Sequence, residues 1–257
     1  MNKANRSPAW ESAFLAAISI GSALLLWWVL SVSGAVDAVL LPPPGSVLAA
    51  LWETLRDGSL WIHIGTSMLR VVKGFALGFV IAVPVGILMG SSLAAFRLIN
   101  PLMEFLRPVP PIAIIPLAIL WFGIGEVSKV FIIAYGSFFP VLVNTIAGFS
   151  EVQPVLVRAA RTLGASPVRI FTDVVLRSAL PFIIVGARLG MSMAFIVLVA
   201  AELIASSEGL GYLINDARYN FRTDRVFLGM ILIGLLGLAL NRLLVLIEKR
   251  LLRWRQA

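Results

Sequence analysis

Hydrophobic positions along the chain gather into long uncharged runs, without the alternation of a half-buried strand or the narrow stripe of a soluble helix. Ser12 to Ser31 is the first, 20 residues without a charge, enough at about 1.5 Å per residue to cross a hydrocarbon core about 30 Å thick. Gly74 to Phe96, interrupted by Pro84, is the second, and Pro108 to Gly125, with Pro108, Pro110, Pro111 and Pro116, is the third. Val130 to Phe149 is the fourth and carries Pro140 and Asn144; the fifth runs from about Ala179 to Ala205 and holds Arg188 and Glu202; the sixth is Val226 to Ile247, with Arg242 near its end. The pattern predicts an all-α membrane protein: six transmembrane helices in a single domain over residues 1–257. Interior proline and glycine would weaken helices in water, but spanning helices tolerate them because neighbours re-satisfy the freed carbonyls. Lys3 and Arg6 before the first run, and Ser33, Gly34 and Ala35 after it, also resemble a cleaved leader. The run exceeds the usual leader core of about 7–15 residues, so a retained helix is expected.

Three intervening segments are long enough to hold structure. In Val32 to Ile62, Leu41-Pro42-Pro43-Pro44-Gly45 forces an extended stretch; Ser46 is then the expected cap of a short helix whose Val47, Leu48, Leu51 and Trp52 face the bilayer surface. Ser206 to Arg225 combines Gly209-Leu210-Gly211-Tyr212 with three acids and three arginines, which suits a docking surface and a plain solvated loop equally. Ser150 to Ser178 is the most informative. Ser150 and Gln153 fit a capping box, Pro154 suits a first helical turn, and Gly164 supplies a left-handed stop before Ser166-Pro167 starts a helix into the fifth span. The short helix carries Leu156 and Leu163 seven apart on one face, paired alanines and two arginines. That layout suits insertion into a partner's groove, the bland alternative being a helix lying on the membrane surface.

Composition agrees. Of 257 residues, 60% are hydrophobic and 13% charged, against about 25% charged in a soluble domain. The net charge of +8 would fit a nucleic-acid binder if it were clustered for phosphate, but its distribution follows the membrane instead. Lys3, Arg6, Arg97, Arg107, Arg158, Arg161, Arg169, Arg177, Lys249, Arg250, Arg253 and Arg255 fall in one set of segments; Arg56, Lys129, Arg218, Arg222 and Arg225 fall in the other. Twelve against five places the first set, and both termini, in the cytoplasm. Arg70, Lys73, Arg188 and Arg242 lie in or near spans and favour neither side. Nucleic acid is not needed as a partner; membrane lipid is.

Chemistry is mostly excluded. There is no cysteine and a single histidine, His63, so thiolate sites and a metal pair are absent, and His63 reads as interfacial packing. The phosphate-cradling G-x-x-x-x-G-K-[ST] pattern does not occur, nor does a G-x-S-x-G elbow. Trp27, Trp28, Trp52, Trp61 and Trp121 fall near expected interfaces, as aromatic anchors do.

The string Arg158-Ala159-Ala160-Arg161-Thr162-Leu163-Gly164-Ala165-Ser166, followed by Leu180-Pro181, resembles the cytoplasmic signature of permease subunits of binding-protein-dependent ABC importers. The family pattern usually begins with Glu where this chain has Arg158, and often has Pro in place of Arg177. Further strings resemble the nitrate, sulfonate, taurine and bicarbonate branch: Leu41-Pro42-Pro43-Pro44, Arg107-Pro108-Val109-Pro110-Pro111, Trp121-Phe122-Gly123-Ile124-Gly125-Glu126, Ala200-Ala201-Glu202-Leu203-Ile204 and Gly209-Leu210-Gly211-Tyr212. The resemblance implies a type I ABC importer permease fold. It also implies a second permease copy, a cytoplasmic ATPase dimer carrying ATP and Mg with no cofactor on this chain, and a periplasmic or lipoprotein substrate-binding protein. Arg158, Ala159, Ala160, Arg161, Leu163, Gly164 and Ala165 would couple to the ATPase; Gly209, Leu210, Gly211 and Tyr212 are candidates for docking the binding protein.

Polar groups inside spans suggest a pathway or a buried partner. Asn144 shares a helical face with Ser137, and Arg188 with Ser192. Glu202 lies fourteen residues beyond Arg188, roughly 21 Å along a helix, so each needs another partner. Arg188 is compatible with a pore that favours a small anion and with bonding to carbonyls freed by proline. The expected activity is ATP-driven import of such a solute by alternating access, with no enzyme activity on this chain. An ion-driven secondary transporter and a non-transport scaffold are the alternatives.

Overall fold

The computed structural model describes residues 9–252, and every regular element in them is helical. Lys3, Arg6, Arg253 and Arg255 lie outside the described residues. In chain order the elements are α1 (Ala9–Val32), α2 (Pro44–Arg56), α3 (Ser59–Ser91), α4 (Leu93–Leu106), α5 (Pro111–Phe122), α6 (Glu126–Ser150), α7 (Pro154–Thr162), α8 (Pro167–Arg169), a π-helical turn (Ile170–Val175), α9 (Leu176–Ala205), α10 (Leu210–Tyr219) and α11 (Thr223–Leu251). Among the described residues four helices are long and apolar enough to cross a membrane: Ser59–Ser91, Glu126–Ser150, Pro167–Ile204 and Thr223–Leu251. A bent pair, α4 with α5, would make a fifth, and Ala17–Val32 of α1 is a shorter apolar stretch.

The third expected span differs most. Its helical part is the 12-residue α5, which meets α4 at 95°. Val109 and Pro110 each precede a proline, whose ring pushes the residue before it out of the helical region; Arg107, also before a proline, keeps helical φ −56°, ψ −42° as the last residue of the turn, whereas Pro110 is extended at φ −63°, ψ 135°. The second expected span is displaced: α3 starts at Ser59, enclosing Arg70 and Lys73, and ends before Ser92, whose Oγ accepts from Ala95 N at 3.3 Å to cap α4. Two expected caps do not form. Ser46 Oγ donates to Pro43 O inside α2, which starts at Pro44, and Ser150 Oγ donates to Ile146 O as part of α6. In both places a proline with its φ already set takes the first helical position.

The chain divides into two compact units. One comprises residues up to Leu60 with Leu213–Met230. There Trp27 Nε1 donates to Pro42 O at 3.0 Å and its ring stacks on Phe227, centroids 5.7 Å apart. Glu53 of α2 receives Arg222 at 2.8 Å and Arg225 at 2.9 Å. The Arg222 hydrogen bond, helped by Arg225, holds the Glu53 carboxyl below the usual range.

The other unit comprises Trp61–Tyr212 with the residues from Ile231 onward. Small residues on α3 at Gly74, Gly78, Ala82, Gly86 and Gly90, spaced by four, bring its backbone against α6 at Ile133, Ser137, Thr145 and Phe149. A Cβ on Gly86 would lie 2.6 Å from Thr145 Cβ. A second seam joins α6 to α9, with Gly136 under Val197, Gly148 against Phe182, and Gly186 against Asn144. Such rows let helix backbones approach where hydrophobic exclusion does not separate protein from solvent. The core around Val71, Ile133, Ala194, Phe195 and Leu198 is flanked by Ile233, Leu236, Leu240 and Leu244 of α11.

Candidate functional site

At the start of α6 a charge network ties α3, α6, α9 and α10. Arg70 of α3 reaches Glu126 at 2.5 and 2.8 Å, Glu202 at 2.7 Å and the Glu208 carbonyl at 2.7 Å. Ser67 Oγ lies 2.9 Å from both Glu202 oxygens, and Gly211 N donates to Glu202 Oε2 at 2.8 Å. Leu210 N donates to Ser67 Oγ and Gly209 N to His63 Nδ1. A carboxylate at the first turn of α10 meets amides that have no partner within that helix. Glu202, a pathway candidate on sequence, is thus enclosed, its side chain 0% exposed. Of the docking candidates, Gly209, Leu210 and Gly211 are buried, with their amides engaged inside the chain, and Tyr212 is half-buried beside His63. Gly209 is required twice over: its φ is +117°, and a Cβ there would lie 2.5 Å from Glu202 Cδ. The sequence left Arg70 unassigned because it and Lys73 lie just before the uncharged run that starts at Gly74, and although Glu202 needed a partner, nothing local pointed to Arg70.

At the far end of α6 stands α7. Gln153 is its N-cap and Pro154 its first residue. Gly164 has φ +78°, Gly164 N bonds Arg161 O, and Ala165 N bonds Ala160 O at 3.0 Å, a glycine-terminated double closure. Ser166 Oγ then accepts from Arg169 N, and the chain continues through the π turn into α9. Arg158, Ala159, Arg161, Leu163 and Gly164 are exposed, Leu163 at 86%; Ala160 and Ala165 are half-covered. The helix therefore projects, rigidly terminated, between two long helices. A π turn is a place where such helices change register.

Between these ends, α5, α6, α9 and the α4–α5 break border an open-sided cavity of about 460 Å³ lined by Tyr135, Phe139, Asn144, Ser192 and Arg107 among others. Asn144 Nδ2 donates to Pro140 O at 2.8 Å and Ser192 Oγ to Arg188 O at 3.1 Å. Of the five pathway candidates only Asn144 and Ser192 line it. Ser137 is fully buried on α6, where its hydroxyl donates to Ala134 O. Arg188 turns instead to Asn241 at 3.3 Å and Glu248 at 3.4 Å of α11.

Residues 82–253 match the family described as binding-protein-dependent transport system inner membrane component. The chain is 41% identical over 240 residues to a probable ABC transporter permease protein of Brucella abortus, covering 93% of each. It is 36% identical over 253 residues to the taurine transport system permease protein TauC of Escherichia coli, covering 95% of this chain and 92% of that one. Among solved structures it resembles a chain of the MetNI methionine ABC transporter in inward-facing conformations, with TM-score 0.57 over 75% of this chain and 95% of that one; at 22% identity the likeness is one of fold.

Proposed function

Because this chain belongs to the inner-membrane permeases of binding-protein-dependent ABC transporters and is a multi-pass protein of that membrane, we propose that it imports a small anionic solute of the sulfonate, taurine, nitrate or bicarbonate type. Six spans with both termini in the cytoplasm pair with a second copy. ATP is hydrolysed with Mg on a separate ATPase dimer, and a binding protein delivers the solute from outside.

The observation that carries this reading is the exposed, glycine-stopped α7 between two long apolar helices. A short rigid helix with apolar and cationic side chains fits a groove in a partner. Closure of the ATPase would move α7 and, through α8 and the π turn, the base of α9, so that the bundle alternates between inward-open and outward-open arrangements. Similarity to a taurine permease supports the sulfonate type.

The test is uptake in proteoliposomes containing the permease and the ATPase encoded beside it, with ATP inside and the neighbouring binding protein outside. Labelled taurine should accumulate only with ATP and the binding protein together. Accumulation driven by an ion gradient without ATP would overturn the assignment of mechanism.

A further inference from the structure

Resting on that reading of an anion importer, we infer that Arg107 forms a subsite for a small oxyanion on the pathway and supplies its charge selectivity. Arg188, the cation among the pathway candidates from sequence, is held by Glu248 and Asn241 and does not line the cavity. Arg107 does. It stands at the 95° break between α4 and α5, beside residues 135–144 in the middle of α6 and away from either helix end.

Its position is built. The Tyr135 hydroxyl donates to Leu106 O at 2.8 Å, with Val109 O at 3.4 Å, so one side chain pins the backbone on both sides of Arg107. Arg107 lines the cavity of about 460 Å³ and also an adjoining one of about 190 Å³, which share Phe139 and Val143.

Arg107 differs from the cations that the fold already pairs, and of the partnerless ones it is the one that lines this cavity. Arg70, Lys129 and Arg188 each face a carboxylate. Among the described residues the Arg107 guanidinium has no hydrogen-bond or ion-pair partner. The larger cavity has no acid in its lining. Glu104 lines only the smaller one, where Asn100 Nδ2 donates to its carboxylate at 2.8 Å. Arg107 is exposed to this acid-free space rather than enclosed, so an anion entering the cavity would meet an accessible guanidinium with no carboxylate competing for it. The guanidinium fork matches two oxygens of a sulfonate or nitrate, and Asn144 and Ser192, which line the same cavity, add further polar groups to it.

The test uses the same proteoliposomes with taurine as probe and compares wild type with Arg107→Gln, Arg107→Lys and Arg107→Cys. Taurine moved per ATP hydrolysed should fall about tenfold or more in Arg107→Gln, as expected for loss of a charge-assisted hydrogen bond, and less in Arg107→Lys. The native chain has no cysteine, so Arg107→Cys carries the permease's sole thiol. A trimethylammonium methanethiosulfonate should raise its transport, whereas the sulfonate-bearing reagent should not, and wild type should respond to neither. Wild-type transport in Arg107→Gln, or equal rescue by both reagents, would overturn the subsite. If wild type carries an uncharged solute and no anion, the anion reading falls, and the subsite with it.

Discussion

Glu202 and Arg188 are both ionisable side chains inside one apolar helix, yet they are satisfied differently. Glu202 receives Arg70, Ser67 and the Gly211 amide with no exposure, while Arg188 makes longer contacts at 3.4 Å and 38% exposure. Removing one member of a buried, hydrogen-bonded pair leaves its partner uncompensated, at a cost of about 3–5 kcal/mol. Glu202→Gln keeps the shape and removes the charge, so thermal unfolding in detergent should show a loss of that order. An unaltered midpoint would mean that the network does not hold the start of α10. Sequence identified Glu202 as needing a partner because of its place in an apolar run. It did not identify Arg70, because the two are 132 residues apart and only the packing of α3 against α9 brings them together.

At the scale of elements, α7 is where local sequence is most readable. Pro154, the left-handed Gly164 and the Ser166 cap act within a few residues of themselves, and they form as expected. The two caps that did not form, at Ser46 and Ser150, lost to nearby prolines. Valine at Gly164 would need φ near +78°, costing about 1–2 kcal/mol, and should open the end of α7. We expect Gly164→Val to lower transport per ATP hydrolysed, measured by uptake and ATPase assays on the same preparation; unchanged uptake together with unchanged co-purification of the ATPase would contradict the coupling role.

The clamp of α2 onto Arg222 and Arg225 behaves differently with pH. Because Glu53 is held below its ordinary range by those arginines, its contribution is present at neutral pH and disappears as pH falls below the ordinary glutamate range and through the depressed value. Melting curves of wild type and Glu53→Gln should converge on acidification. A gap that widens at low pH would contradict this sign.

Orientation belongs to the whole molecule. Two of the charges used to assign it are taken up by the fold: Arg107, in the α4–α5 break, lines the cavity beside the middle of α6, and Lys129 is buried in its first turn against Glu126. Without those two the sequence count is eleven against four, which still favours the proposed cytoplasmic α7, and the absence of cysteine in the sequence again gives a direct measurement. A cysteine at Leu163, 86% exposed, should label only from the cytoplasm, and one at Leu48, 65% exposed, only from outside. The reverse pattern would invert the proposed topology. What sequence determined by itself was the solvent and the class of structure: uncharged runs of span length require helices that satisfy their own backbone in lipid. It also determined α7, whose stop and restart depend on neighbouring residues alone. Tertiary structure decided which polar groups are enclosed and which face open space. Proline at the α4–α5 break swings Arg107 into the cavity, and glycine rows draw α3 and α9 onto α6, so contacts between residues far apart in the chain assign each charge its partner.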